Sequence, residues 1–183
     1  MLVPWRKVKR WRCIRCGVCC YKYQVPVSLS EALRISRAYG DVVTLSKGGR
    51  YILRRIKGRC IFLSGVPPFT SCLIHLEKPI CCRLWPFHFY VEPKYGLSGD
   101  DAVYIHGDRK LFVYINDECS GLGRGMEIEA LLSRAAELWV AYKGELKAES
   151  TAPSTRLSFS FNRRLSRWEF LKGVKAWPKG LFE

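Results

Sequence analysis

Four cysteines fall within eight residues, Cys13, Cys16, Cys19 and Cys20, in the order C-x-x-C-x-x-C-C, and this run limits the fold more than any other feature of the chain. Two-residue spacers let backbone turns aim several sulfurs at one point, as C-x-x-C does for tetrahedral zinc and C-x-x-C-x-x-C does for iron–sulfur clusters. Backbone so placed follows its ligands rather than a repeating hydrophobic face. The side chains of adjacent Cys19 and Cys20 are expected to diverge, which assigns one of them to a second centre.

Five more cysteines follow, Cys60, Cys72, Cys81, Cys82 and Cys119, for nine in all. An odd count cannot pair completely, and thiols in a reducing compartment stay reduced, so ligation or redox chemistry is expected rather than a disulfide framework. No stretch of about 18 apolar residues occurs, and the opening MLVPWRKVKRWRC lacks the apolar centre of a signal peptide. The expectation is a cytoplasmic protein with no transmembrane segment. With 183 residues, 48% of them hydrophobic, the chain can bury a core without disulfides and suits a single domain over residues 1–183.

Local signals outline an α+β fold. Ser28 and Glu31 stand as N-cap and N3 of a capping box, and Gly40 sits where a helix would stop, which predicts a short helix between them. Val42–Leu45 and Tyr51–Ile56 read as a hairpin around Ser46–Gly49. Residues 60–86 show no clean period and carry several prolines, as expected of loops held by metal. Phe87–Val91, Ala102–His106 and Leu111–Ile115 read as strands, the last two joined at Gly107-Asp108. A longer helix is expected over Glu127–Lys147, with Leu131, Ala135, Leu138, Trp139 and Tyr142 on its buried face. Alternation in Leu157, Phe159 and Phe161 predicts a last strand, followed by an aromatic and basic run from Trp168 to Phe182 within a C-terminal extension, 151–183.

The later cysteines occupy recognisable contexts: C-I-F-L at Cys60, C-L-I-H at Cys72, P-I-C-C-R-L-W-P from Pro79, and C-S-G-L-G-R-G at Cys119. Together with the opening run through Gly17, residues 13–125 resemble the zinc- or iron-chelating C-x-x-C-x-x-C-C family, which includes flagellin lysine methylases. The resemblance implies metal binding. It makes Cys13, Cys16, Cys19, Cys20, Cys60, Cys72, Cys82 and Cys119 the ligands, because Pro79 and Arg83 set Cys82 in the family position and leave Cys81 as an extra. Eight thiols fill two four-ligand sites. Iron–sulfur, of the 4Fe-4S kind, is the preferred cofactor, with zinc the alternative. His75 stands where the family usually has an aromatic residue; the sequence reading makes it a hydrogen-bonded structural histidine, like His88 and His106. The glycines of Gly121–Gly125 could cradle a phosphate, but Glu127 and Glu129 would repel an anion, and a turn that positions Cys119 is preferred.

The formal charge is +15, concentrated in three stretches. Residues 1–12 hold Arg6, Lys7, Lys9, Arg10 and Arg12 with no acid; residues 43–59 hold Lys47, Arg50, Arg54, Arg55, Lys57 and Arg59, again with none. The last 33 residues add seven cations, Arg163, Arg164 and Arg167 among them, against two acids. With aromatics such as Trp5, Trp11, Trp168 and Trp177 interleaved, these patches point to a polyanion, and RNA or a ribonucleoprotein such as the ribosome is the expected partner. No hydrolytic triad is recognisable and catalytic residues are not assigned. The alternative is an iron–sulfur enzyme performing redox chemistry or methyl transfer on a protein substrate.

Overall fold

The structure is a computed structural model and describes residues 1–45, 49–67, 69–94 and 100–151. The chain opens with β1 (Leu2–Pro4), a single 3-10 turn over Trp5–Lys7, and β2 (Arg10–Trp11). No hydrophobic pattern announces these elements, because two or three residues cannot display a period. Next comes α1 (Val18–Lys22), one turn of helix that carries Cys19 and Cys20. The following helix, α2 (Leu29–Tyr39), has the capping box read from the sequence: the Glu31 amide donates to the Ser28 hydroxyl, and the Ser28 amide donates back to the Glu31 carboxylate. Gly40 ends it.

The expected hairpin forms between β3 (Val43–Leu45) and β4 (Tyr51–Leu53), in the register Val43 opposite Leu53. Its second strand is shorter than expected. The chain breaks at Arg54, and β5 (Arg55–Ile56) turns back at Lys57-Gly58 onto β6 (Arg59–Cys60). Residues 60–86 are also more regular than their prolines suggest: β7 (Leu63–Val66) pairs with β8 (Phe69–Cys72), and α3 (Ile80–Leu84) carries Cys81 and Cys82. Pro67-Pro68 between two short β-type runs was the turn signal for that hairpin.

A four-stranded antiparallel sheet follows, made of β1, β9 (Phe87–Tyr90), β10 (Val103–His106) and β11 (Arg109–Asn116). Strands β10 and β1 succeed one another along one edge of β11, and β9 lies along the other. All of Leu111–Asn116 is buried. Leu111, Val113 and Ile115 face α4 (Ile128–Thr151), while Phe112 and Tyr114 join Ala102 in a smaller cluster on the opposite side. Burial of each such large side chain contributes about 1.5–3 kcal/mol.

The long helix begins one residue later than expected, because Met126–Glu127 forms β12 against Arg10–Trp11 of β2. Its deepest contacts come from Ile128, Leu132, Ala135 and Ala136, with Leu131, Leu138 and Trp139 at the margin, so the buried stripe is rotated slightly from the one read in the sequence. A second core lies between α2 and the small hairpins: Val25, Val27, Ile35, Leu53, Phe62 and Ile74, with Cys20, Cys72 and Cys82 at its edge. The whole is a mixed α+β fold of four helices and short antiparallel pairs among the described residues. None of these helices is long and apolar enough to cross a membrane. The strand expected at Leu157–Phe161 and the run Trp168–Phe182 lie outside the described residues.

Candidate metal centre

Six separate segments bring the thiols together. Cys13 and Cys16 lie on the loop before α1, with Cys19 and Cys20 on α1 itself; Cys60 ends β6 and Cys72 ends β8; Cys82 is on α3, and Cys119 follows β11. All eight line one cavity of about 120 Å³ between the two cores. The ninth, Cys81, is not in that lining, and its S–H donates to the Pro26 carbonyl at 2.9 Å. Among the described residues, no three His, Cys, Asp or Glu side chains close onto a single point as the shell of one metal ion; the donors ring the cavity instead.

Two glycines allow this convergence. Gly17 takes φ +75° at the start of α1, and a Cβ there would stand 3.0 Å from the Thr70 hydroxyl and 3.2 Å from Leu63. The bare backbone therefore seats the cysteine run directly on the β7–β8 hairpin, where Thr70 donates a hydrogen bond to the Arg15 carbonyl. At Gly121 a Cβ would lie only 2.0 Å from the Arg12 carbonyl oxygen. The Arg12 amide donates to the Gly121 carbonyl and the Gly123 amide to that of Arg10, so the glycine-rich segment is a clamp holding Cys119 beside the first cysteines. This matches the turn preferred in the sequence and leaves the phosphate cradle without support. The Trp11 indole N–H completes the clamp by donating to the Cys119 sulfur at 3.2 Å.

Residues 12–120 match the profile of the family described as a "putative zinc- or iron-chelating domain", named for its C-x-x-C-x-x-C-C run. The chain belongs to this family. No curated protein and no solved structure matches it. Membership supports metal chelation as the business of these cysteines, and it reaches neither a particular metal nor the methylase branch.

Positive charge lies beside the thiols of the chelating domain. Arg15, Lys78 and Arg83 line the cavity, and among the described residues no carboxylate does. Cys19 is drawn down from its ordinary 9.0 to about 7 by the hydrogen bond with Cys20, with Lys78 acting in the same direction. Burial raises Cys60 to about 11 and also raises Cys72, while the hydrogen bond with Cys81 raises Cys82. In the absence of metal, Cys20, Cys60, Cys72 and Cys82 are thus held as thiols and Cys19 is poised as thiolate. Metal binding must displace those protons. One expectation fails here: the Cys19 and Cys20 sulfurs stand 4.0 Å apart on α1, close to the roughly 3.8 Å between thiolates on one tetrahedral zinc with bonds of about 2.3 Å. Adjacency in sequence therefore does not force them to separate centres, because consecutive side chains on a short helix still reach the same side.

Two of the histidines, His75 and His88, each have a buried ring nitrogen that lacks the expected hydrogen bond. His75 lines the cavity beside the cysteines, and its Nδ1 is buried without a hydrogen-bond partner; the Nε2 of His88 is likewise buried and unpartnered. Burial lowers both imidazoles in pKa. His106 stacks on Tyr104.

The basic residues separate into two kinds. Arg6, Lys7, Lys9, Arg10 and Arg12 are all exposed, as are Arg50 and Lys57. Arg54 instead donates to Asp41 at 2.6 Å, and Arg55 reaches the backbone carbonyls of Tyr21, Tyr23 and Gly58, tying the end of α1 to the β5–β6 turn. Arg59 approaches the Gly65 carbonyl at 3.3 Å. Lys47, Arg163, Arg164, Arg167, Trp168 and Trp177 lie outside the described residues. Trp5 and Trp11 are not surface platforms for bases: Trp5 is in the core with its N–H on the Val103 carbonyl, and Trp11 packs on Phe87.

Proposed function

We propose that the chelating domain holds an iron–sulfur centre, or two adjacent ones, within the cavity lined by Cys13, Cys16, Cys19, Cys20, Cys60, Cys72, Cys82 and Cys119. The observation that carries this reading is the sorting of the cysteines: eight converge from six segments, and the one that falls outside the family spacing is bonded to a carbonyl elsewhere. A cavity of about 120 Å³ is several times the roughly 30 Å³ share of one water. Thiolates that cap a cluster must span its metal atoms, whereas those on one zinc crowd to about 3.8 Å. Eight thiols around one cavity are enough to cap a cluster, and the run of three cysteines at two-residue spacing is the pattern that such clusters use. When bound, such a centre would supply folding free energy and one-electron chemistry. The chain's part is to aim thiolates from six segments, to set Arg15, Lys78 and Arg83 against their charge, and to direct the Trp11 N–H at Cys119.

The test is anaerobic purification with iron, sulfide and zinc analysis and an absorption spectrum. Iron and sulfide in equal amounts with visible charge-transfer bands is the expected result. Colourless protein with stoichiometric zinc overturns the cluster and keeps chelation; metal-free protein that stays folded overturns both.

A second reading concerns the partner. Five cations in residues 1–12 are exposed with no acid among them, which supports association with RNA or a ribonucleoprotein through phosphate contacts. Arg54 and Arg55 make poor probes, since both serve the fold. Replacing Lys7 and Lys9 by Glu is expected to weaken RNA binding across many sequences with the metal spectrum intact. The salt dependence of log affinity should have a slope of about −0.7 per phosphate contacted on a single strand. Affinity that ignores salt would refute this reading.

A further inference from the structure

We infer that His75 is a nitrogen donor to the metal centre, a site residue beyond the eight cysteines; the inference rests on the chelation reading above. Three observations converge on it. First, His75 lines the same cavity as the eight thiols. Second, its Nδ1 is buried and makes no hydrogen bond. Leaving such a nitrogen unpaired is costly, and buried polar atoms in folded proteins are nearly always satisfied, so an orphaned one at a donor-lined cavity marks the place where a partner binds. Third, Cys72 and His75 are separated by two residues, the spacing that also links Cys13 to Cys16 and Cys16 to Cys19, and it aims two donors at a common point.

The chain itself supplies the contrast. An aromatic ring at position 75 would carry no orphaned nitrogen. The imidazole is what this sequence adds, and a mixed shell of three thiolates and one histidine is an ordinary one for structural metal. His88 shares the buried, unpartnered nitrogen but is not part of the cavity lining, so it serves as the internal control. Nine donors exceed two four-ligand shells; one thiol then bridges or stays outside, and the sulfur count reports which.

X-ray absorption at the edge of whichever metal the anaerobically isolated full chain carries gives the first test. The expected shell includes one nitrogen at about 2.0–2.1 Å among sulfurs, lost in His75→Phe and kept in His88→Phe. The second needs no variant. If the metal is iron, pulsed electron paramagnetic resonance of reduced protein should show nitrogen coupling that changes on labelling histidine with ¹⁵N; if it is zinc, protein reloaded with Co(II) should show the same. A wild-type shell of sulfur alone, with full metal content and no histidine coupling, overturns the inference while chelation stands. Protein that carries no metal removes both.

Discussion

Cys81 and Cys82 are neighbours on one short helix, packed at the edge of the same core but with different partners. The Cys81 thiol gives its proton to the Pro26 carbonyl, while Cys82 lines the cavity. Cys81→Ser should keep the metal, since a hydroxyl can donate to the same carbonyl, and cost at most about 1 kcal/mol. Cys82→Ser should lose metal and lower the melting temperature well beyond that. Metal analysis and thermal unfolding of the two variants decide it, and equal behaviour would show that the register is wrong. Gly121 makes a second case at this scale. A methyl group there meets the Arg12 carbonyl oxygen at 2.0 Å. Backbone on backbone cannot give way cheaply, so Gly121→Ala should destabilise the domain by about 1–3 kcal/mol, measured by denaturant unfolding. Gly123, whose added Cβ meets nothing within 4 Å, makes a useful comparison, although its φ of +76° disfavours alanine as well.

Among the elements, α2 has more to do than its sequence shows. The capping box Ser28–Glu31 was legible, but the second job of Glu31 was not: its other carboxylate oxygen accepts the Ile80 amide at 2.6 Å, at the first turn of α3. One buried side chain thus satisfies orphan donors at the starts of two helices, one of them carrying Cys82. Glu31→Ala should cost about 2–4 kcal/mol, the sum of a lost cap and a lost charge-assisted bond. It should also raise the rate at which a chelator strips metal, although residue 31 is no ligand. A stability loss with unchanged metal release would show that α3 is held by its own packing. A comparable tie joins α1 to the end of β11, where Lys22 and Tyr23 both donate to Glu118 and Asn116 donates to the Tyr23 hydroxyl.

At the scale of the molecule, metal and fold are linked through protons. In metal-free protein burial raises Cys60 from 9.0 to about 11, and raises Cys72 too. A thiol whose folded value lies above its unfolded one favours the fold fully below the unfolded value and loses that contribution as pH rises through the folded one. Metal-free domain should therefore lose thermal stability between about pH 9 and 11. Cys19, lowered to about 7, runs the other way and loses its contribution as pH falls through that value. Metal-loaded domain, whose donors are already thiolates, should lack the alkaline loss. Melting curves of stripped and loaded protein across this range test it, and parallel curves would refute the linkage.

Short-range chemistry was written into the sequence by itself: the C-x-x-C-x-x-C-C run and its companions, the capping box and its terminal glycine, the Gly107-Asp108 hairpin, the amphipathic stripe of α4 and the α+β class. Each rests on residues a few positions apart, where backbone geometry and side-chain type suffice. Only the tertiary structure decided which distant groups meet. It put eight thiols from six segments around one cavity, brought the sulfurs of Cys19 and Cys20 to the same side, and left the His75 nitrogen without a bond. It also turned Arg55 and Trp11 from surface chemistry to internal support. Those outcomes depend on contacts across as many as 108 positions, as between Trp11 and Cys119, which no local pattern encodes because loop closure and packing, not propensity, set them.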